Sequence, residues 1–180
     1  MQLNTNHLIL DELTLDDLAN LHRLNSCPEV DEFNTLGIPS NIEETKVHLE
    51  GYIQAQKANP RVSFNWKIID RQNNTFVGAA GINLSNNRFK LGIMYYNILP
   101  SYWGKGYATE VGKCLVKFGF EELHLHKVEA GVQTENIRSI RVLEKIGMTR
   151  EGLRRKILPI RGEWKDNYHY AIVEDDPKAY

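Results

Sequence analysis

The chain has 180 residues, 42% hydrophobic and 25% charged, proportions ordinary for a soluble globular protein with a core of its own. A formal net charge of −1 supplies no overall basic field, so neither nucleic acid nor a membrane is an expected partner. The two cysteines, Cys27 and Cys114, lack metal-ligand spacing and suggest no disulfide framework, so a metal-free protein of the reducing cytoplasm is expected.

The N-terminal residues have no charged segment ahead of the short apolar run Leu8-Ile9-Leu10, so neither a signal peptide nor a spanning helix is expected there. Residues 8–13 read as a first strand. Thr14 opens a helix, with Asp17 three residues on and Leu15, Leu18, Leu21 and Leu24 at helical spacing. The turn-rich residues 26–41 read as a structured loop rather than a linker. Ser40-Asn41-Ile42-Glu43 is a second capping-box signal, for a helix running to about Ala58. Val62, Phe64, Trp66 and Ile68 then alternate with polar residues, the period of a half-buried strand. Residues 75–84 and, beyond a turn at Ser85-Asn86-Asn87, residues 89–99 complete an antiparallel meander.

A helix follows in which Tyr107, Ala108, Val111, Leu115 and Phe118 share a face, with Lys105, Glu110, Lys113, Lys117 and Glu121 largely opposite. Residues 126–132 alternate as a strand, and residues 135–146 form another helix stopped by Gly147. Two more strands are expected at 148–158 and 164–173. Antiparallel strands followed by a strand between two helices make a mixed α/β sheet, expected as one domain over residues 1–180.

Gly104 and Gly106 flank Lys105 where the helix should be nucleating. Each internal glycine costs a helix roughly 1 kcal/mol. A helix start offers unpaired N–H groups and the positive end of the dipole, and glycine lets a phosphate approach them closely. A tight strand-to-helix turn would equally call for glycine. No Gly-Lys-Ser/Thr ending completes a P-loop, and Thr109 stands where a dinucleotide fingerprint needs a third small residue.

The string Trp103-Gly104-Lys105-Gly106-Tyr107-Ala108-Thr109-Glu110 resembles the RimJ/RimL branch of the GNAT acetyltransferase superfamily. A second block supports the resemblance: Asn136-x-x-Ser139, then Glu144-Lys145-Ile146-Gly147-Met148 and Glu151-Gly152. The resemblance implies a sheet splayed between the strands at 89–99 and 126–132, with acetyl-coenzyme A in the gap and no metal. It further implies that backbone groups of Tyr96, Asn97 and Ile98 pair with the pantetheine arm. The N–H groups of Gly104, Lys105, Gly106, Tyr107, Ala108 and Thr109 would hold the pyrophosphate. Asn136 would contact the coenzyme, and Ser139 would protonate the departing thiolate. Asn136 also suits a helix N-cap, and the two roles are compatible.

The sequence departs from the family in two places that bear on chemistry. Leu143 replaces a frequent tyrosine acid, and Ile93 and Tyr95 replace an acid-x-glycine element, removing a glutamate base. Glu32, Asp166, His169 and Tyr96 remain as candidate bases by residue type. Arg138, Arg141 and Lys145 are candidates for the coenzyme's 3′-phosphate, and Phe33, Asn34 and Leu36 would border the acceptor cleft by analogy. Cys114, at the edge of an apolar helix face, reads as packing, so direct transfer is expected over a ping-pong route. The implied reaction is acetyl transfer to a small-molecule or peptidyl amine, including protein N-terminal α-amines, by a monomer or homodimer. The rival readings are an inactive acyl-coenzyme A sensor or ribosome-associated binding protein, and a dinucleotide-dependent oxidoreductase that Thr109 and the meander disfavour.

Overall fold

The computed structural model describes residues 1–85 and 88–180, so Asn86 and Asn87 of the expected turn lie outside the described residues. Eight strands form one mixed sheet: β1 (Leu3–Asn4), β2 (Leu8–Glu12), β3 (Ser63–Asp70), β4 (Thr75–Leu84), β5 (Leu91–Ile98), β6 (Lys127–Gln133), β7 (Thr149–Ile160) and β8 (Glu163–Val173). Their spatial order is β1-β2-β3-β4-β5-β6-β8-β7, antiparallel throughout except between β5 and β6. The helices are α1 (Leu18–Asn25), α2 (Pro28–Asp31), α3 (Ile42–Gln56), α4 (Tyr107–Glu121) and α5 (Ile137–Lys145).

Alternating side chains send two apolar sets to the two faces of the sheet. Trp66, Ile68, Ile82, Met94, Val128 and Ile172 pack with Val111 and Leu115 of α4 and with Leu143 and Ile146. On the opposite face Phe76 and Ala79 pack with Leu21 and Leu24 of α1 and Leu49 of α3. Val62 is an exception to the expected alternation: it lies outside β3 and is 47% exposed.

Local capping differs from expectation in register. Thr14 does cap, its N–H donating to Asp17 Oδ2 at 2.8 Å, but the turn it opens is a 3₁₀ turn, Leu15–Asp17, ahead of α1. At α3 the cap is Asn41 rather than Ser40: Glu44 N–H donates to Asn41 Oδ1 at 3.1 Å, and Ser40 N–H to Glu44 Oε2 at 2.8 Å. Both Ser40 with Glu43 and Asn41 with Glu44 satisfy the capping-box spacing, and Asn41 takes the cap. The loop at 26–41 contains the short helix α2, started by Pro28, whose fixed φ suits a first helical position.

The feature that positions the site is a fork in the sheet. β5 and β6 pair over three rungs, Leu91↔Lys127, Gly92↔Val128 and Ile93↔Glu129. Beyond them β5 stays with β4 to the Gly78↔Ile98 rung, and β6 stays with β8 to Gln133↔Asn167. Each strand keeps its outer neighbour while losing the inner one, so the parallel pair opens toward its C-terminal ends.

Candidate active site

Shortly after the diverging end of β5, the chain makes a 3₁₀ turn, Pro100–Tyr102, and then the glycine turn. Gly104 and Gly106 have φ of +78° and +82°, a left-handed backbone that glycine adopts without a Cβ penalty. A Cβ on either residue would meet no protein atom within 4 Å, so backbone conformation rather than packing selects glycine there. Among the described residues, the N–H groups of residues 104–109 find no backbone acceptor, whereas Glu110 N–H donates to Gly106 C=O at 3.0 Å. Six consecutive donors at the positive end of a 15-residue helix form a cradle suited to a phosphate. The residues present therefore fit a coenzyme pyrophosphate.

Side chains hold this turn in place. Tyr107 donates to Asp70 Oδ2 at 2.8 Å, a bond that lowers the aspartate below its usual range and raises the phenol above its own. Tyr102 stacks on Tyr107 at 6.1 Å, and Lys105 Nζ stands 4.9 Å from the Tyr102 ring centroid. Glu110 accepts His7 N–H at 2.7 Å and also bonds Thr5 Oγ1 and His7 Nδ1. Burial pushes the Glu110 carboxyl up, but these bonds outweigh it and the group lies below its ordinary value.

The fork brings the two sequence blocks together. Leu99 N–H donates to Val77 C=O, which sets the phase of β5: backbone groups of Asn97 turn toward β4, and those of Tyr96 and Ile98 toward the gap. The Ile98 carbonyl accepts Trp103 Nε1–H at 2.7 Å, and the Arg138 guanidinium lies 4.5 Å above the Trp103 ring. Arg138 thus joins α5 to the glycine turn, while Arg141 and Lys145 are exposed. Asn136 is the N-cap of α5, its Oδ1 accepting Ser139 N–H at 3.1 Å.

Ser139 Oγ lies 2.9 Å from the Tyr96 hydroxyl, so α5 and β5 meet across the gap on the α4 side of the sheet. Desolvation pushes the Tyr96 phenol up to about 12, against the opposing effect of the Ser139 bond. That phenol keeps its proton near neutrality, which makes Tyr96 a donor and removes it as a candidate base. Leu143 is buried in the core. Cys114, pushed up to about 11 by burial, is held as a thiol and not as a nucleophilic thiolate.

On the other face, Asn34 Nδ2 donates to Asn97 Oδ1 at 3.1 Å, bringing the loop after α2 onto the diverging half of β5. Phe33 is half-buried beside it in the chain, whereas Leu36 lines a crevice with Asn25, Thr45 and His48 between α1 and α3. Asp31 pairs with Arg161 at 3.6 Å, tying the turn between β7 and β8 to the same loop. No local signal marks that contact between residues 130 positions apart. Of the other candidate bases, Glu32 is exposed, and Asp166 accepts Lys156 N–H at 2.8 Å within the β7–β8 hairpin.

A sheet that forks beside a free helix N-terminus makes a slot for an extended anionic ligand, with a hydroxyl pair on one side and a polar loop on the other. A family profile described as an acetyltransferase (GNAT) domain matches residues 7–149. The chain is 30% identical over 178 residues to the uncharacterized N-acetyltransferase YnaD of Bacillus subtilis (strain 168), covering 98% of this chain and 99% of that one. It is similar to the acetyltransferase (GNAT family) structure from Bacillus anthracis, at TM-score 0.84 and 30% identity over 98% of this chain and 100% of that one. Spermidine N-acetyltransferase from Vibrio cholerae, solved in complex with CoA and spermine, shares the fold at TM-score 0.83 and 21% identity, covering 94% and 97% of the two chains. The chain belongs to the acetyltransferase (GNAT) family, and it is an acetyltransferase. Among the described residues, no helix is long and apolar enough to cross a membrane.

Proposed function

We propose that the protein, acting in the cytoplasm as one catalytic unit over residues 1–180, transfers the acetyl group of acetyl-coenzyme A directly to a primary amine. The observation that carries this reading is the row of free N–H donors at residues 104–109 beside the fork between β5 and β6. The two sequence blocks support placement in the RimJ/RimL branch. CoA in the Vibrio cholerae relative supports the same coenzyme here, and spermine in that structure supports an amine acceptor.

Gly104, Lys105, Gly106, Tyr107, Ala108 and Thr109 hold the pyrophosphate in this reading. The backbone of Tyr96 and Ile98 lines the pantetheine arm along the open edge of β5, and the free Nδ2 of Asn136 contacts the coenzyme. The thioester supplies the acetyl group. Ser139 gives its proton to the departing sulfur, and Tyr96, hydrogen-bonded to it, replaces that proton. Asn34 and Asn97, with Phe33 beside Asn34 in the chain, border the approach of the acceptor, while Leu36 faces the crevice between α1 and α3. Protein N-terminal α-amines head the acceptor panel, because at a pKa of about 7.7–8.0 a larger fraction is uncharged near neutrality than for a lysine.

The test is free-thiol release from acetyl-coenzyme A with a panel of N-terminal peptides, polyamines and amino acids, plus mass analysis of the acceptor. Amine-dependent release with an acetylated product supports the reading. Coenzyme binding without release on any amine would favour the sensor instead.

A further inference from the structure

Glu129 forms the last rung before β5 and β6 part, opposite Ile93. On β6, Val128, Ala130 and Val132 turn into the core beneath α4, so Glu129 and Gly131 point to the other face. The same alternation on β8 sends Tyr170 and Ile172 into that core and His169 to the face of Glu129. His169 Nε2 lies 3.3 Å from Glu129 Oε1, with side-chain exposures of 22% and 13%. His169 pairs with Gly131, beyond the fork, so β6, with the Asn167 amide lying over Gly131, separates it from the gap by one strand spacing of ~4.8 Å. Asn167, 4% exposed, continues the polar row along β8.

Two further charges face this pair. Lys127 Nζ lies 3.4 Å from Glu129 Oε1 and 2.7 Å from Oε2 of Glu151, which comes from the bulge in β7. Ligand atoms of Glu129, Glu151 and His169 lie within 4.8 Å of one another, a spacing also compatible with a metal ion. The Lys127 ammonium already stands among them, however. Two carboxylates and one ammonium leave the cluster one negative charge from neutrality, and a proton on His169 cancels it.

We propose that His169, held by Glu129, accepts the proton that the acceptor ammonium loses before attack; this rests on the acetyltransferase reading above. With Nε2 turned to the Glu129 carboxylate, Nδ1 is the ring nitrogen left to accept a proton. The ammonium N–H bond breaks, its electron pair stays on nitrogen, and the proton passes to Nδ1 directly or through one water. The freed amine forms the C–N bond as the C–S bond breaks, and the sulfur takes its proton from Ser139. Ser139 regains one from Tyr96, and the second proton of the acceptor nitrogen leaves to solvent, which reprotonates Tyr96. The imidazolium, stabilised by the Glu129 carboxylate, returns its proton to solvent. Glu129 is a positioning residue in this scheme.

The test compares wild type, His169→Gln, His169→Gly and Glu129→Gln on primary amines of graded basicity, with coenzyme affinity measured in parallel. His169→Gln should lower kcat/KM about 100-fold for an amine of pKa about 10.4 and less than about 3-fold for one that is uncharged at the assay pH. Glu129→Gln should show the same gradient more weakly, and imidazole should rescue His169→Gly, with coenzyme affinity unchanged in all three variants. A loss equal across the series, or no loss, overturns the proposal and leaves the acetyltransferase reading standing. So does activity abolished by EDTA and restored by a divalent cation. No thiol release by wild type on any amine overturns both.

Discussion

The hydroxyls of Tyr96 and Ser139 meet at 2.9 Å, joining strand β5 to helix α5 across the gap where the sheet forks. Neither residue alone makes a proton-delivery site. Together they give the side of the gap nearest α4 a pair of hydroxyls, one of which keeps its proton to about pH 12.

Ser139→Ala is expected to lower kcat by about 100-fold with little change in KM for acetyl-coenzyme A, in the range for loss of a general acid. Tyr96→Phe should cost about 10-fold. Because the raised phenol stays protonated, the ratio of wild-type to Tyr96→Phe activity should be the same at pH 7 and pH 10. A ratio that shrinks toward one by pH 10 would show the phenol ionising and contradict the assignment. Steady-state kinetics at the two pH values decide it.

Gly106→Ala places a Cβ on a residue at φ +82°. The strain should cost roughly 1–2 kcal/mol of folding stability, read by denaturant titration. Coenzyme affinity should fall at least about 10-fold, because one methyl group shields the N–H groups around it. Normal affinity in the folded variant would mean that the glycine serves only the turn.

Glu110 links stability to pH. Its folded carboxyl lies below the ordinary value of 4.5, so the stabilisation is fully present above that value and is lost as pH falls through the lower folded pKa. Glu110→Gln should therefore be less stable than wild type at pH 7, with the difference narrowing below about pH 4.5. Thermal melts from pH 3 to pH 7 read this directly; a gap that stays constant with pH would rule out the Thr5 and His7 bonds as its source.

Cys114→Ala should keep kcat within about 2-fold of wild type, since burial pushes the thiol up to about 11 and keeps it protonated near neutrality. Trapping of an acetyl-enzyme by mass spectrometry, lost in Cys114→Ala, is the outcome that would reinstate a ping-pong route.

The elements whose signals are local are legible in the sequence. The glycine turn was legible because two glycines at a helix start are costly without a use. The meander was legible from the alternation of Phe64, Trp66 and Ile68. Strand β1 was not, since Leu3–Asn4 is too short to show a period. The cap of α3 was displaced by one residue because two capping-box registers overlap at Ser40 and Asn41. Two long-range contacts beside the fork were hidden for a different reason. Tyr96 with Ser139 and Glu129 with His169 lie about 40 residues apart in the chain, and only the strand order and the fork bring them together. In the chain alone Tyr96 offers its backbone and a candidate base; in the structure its protonated phenol completes the pair with Ser139.

The central claim is that the backbone at residues 104–109 receives the coenzyme pyrophosphate beside the fork. Its most direct test is a titration of ¹⁵N-labelled protein with coenzyme A, following the amide resonances. The account predicts saturable downfield shifts at residues 104–109, with smaller shifts at Tyr96 and Ile98, and no such response to NAD. Coenzyme binding that leaves the six amides unmoved, or no binding at all, would contradict it.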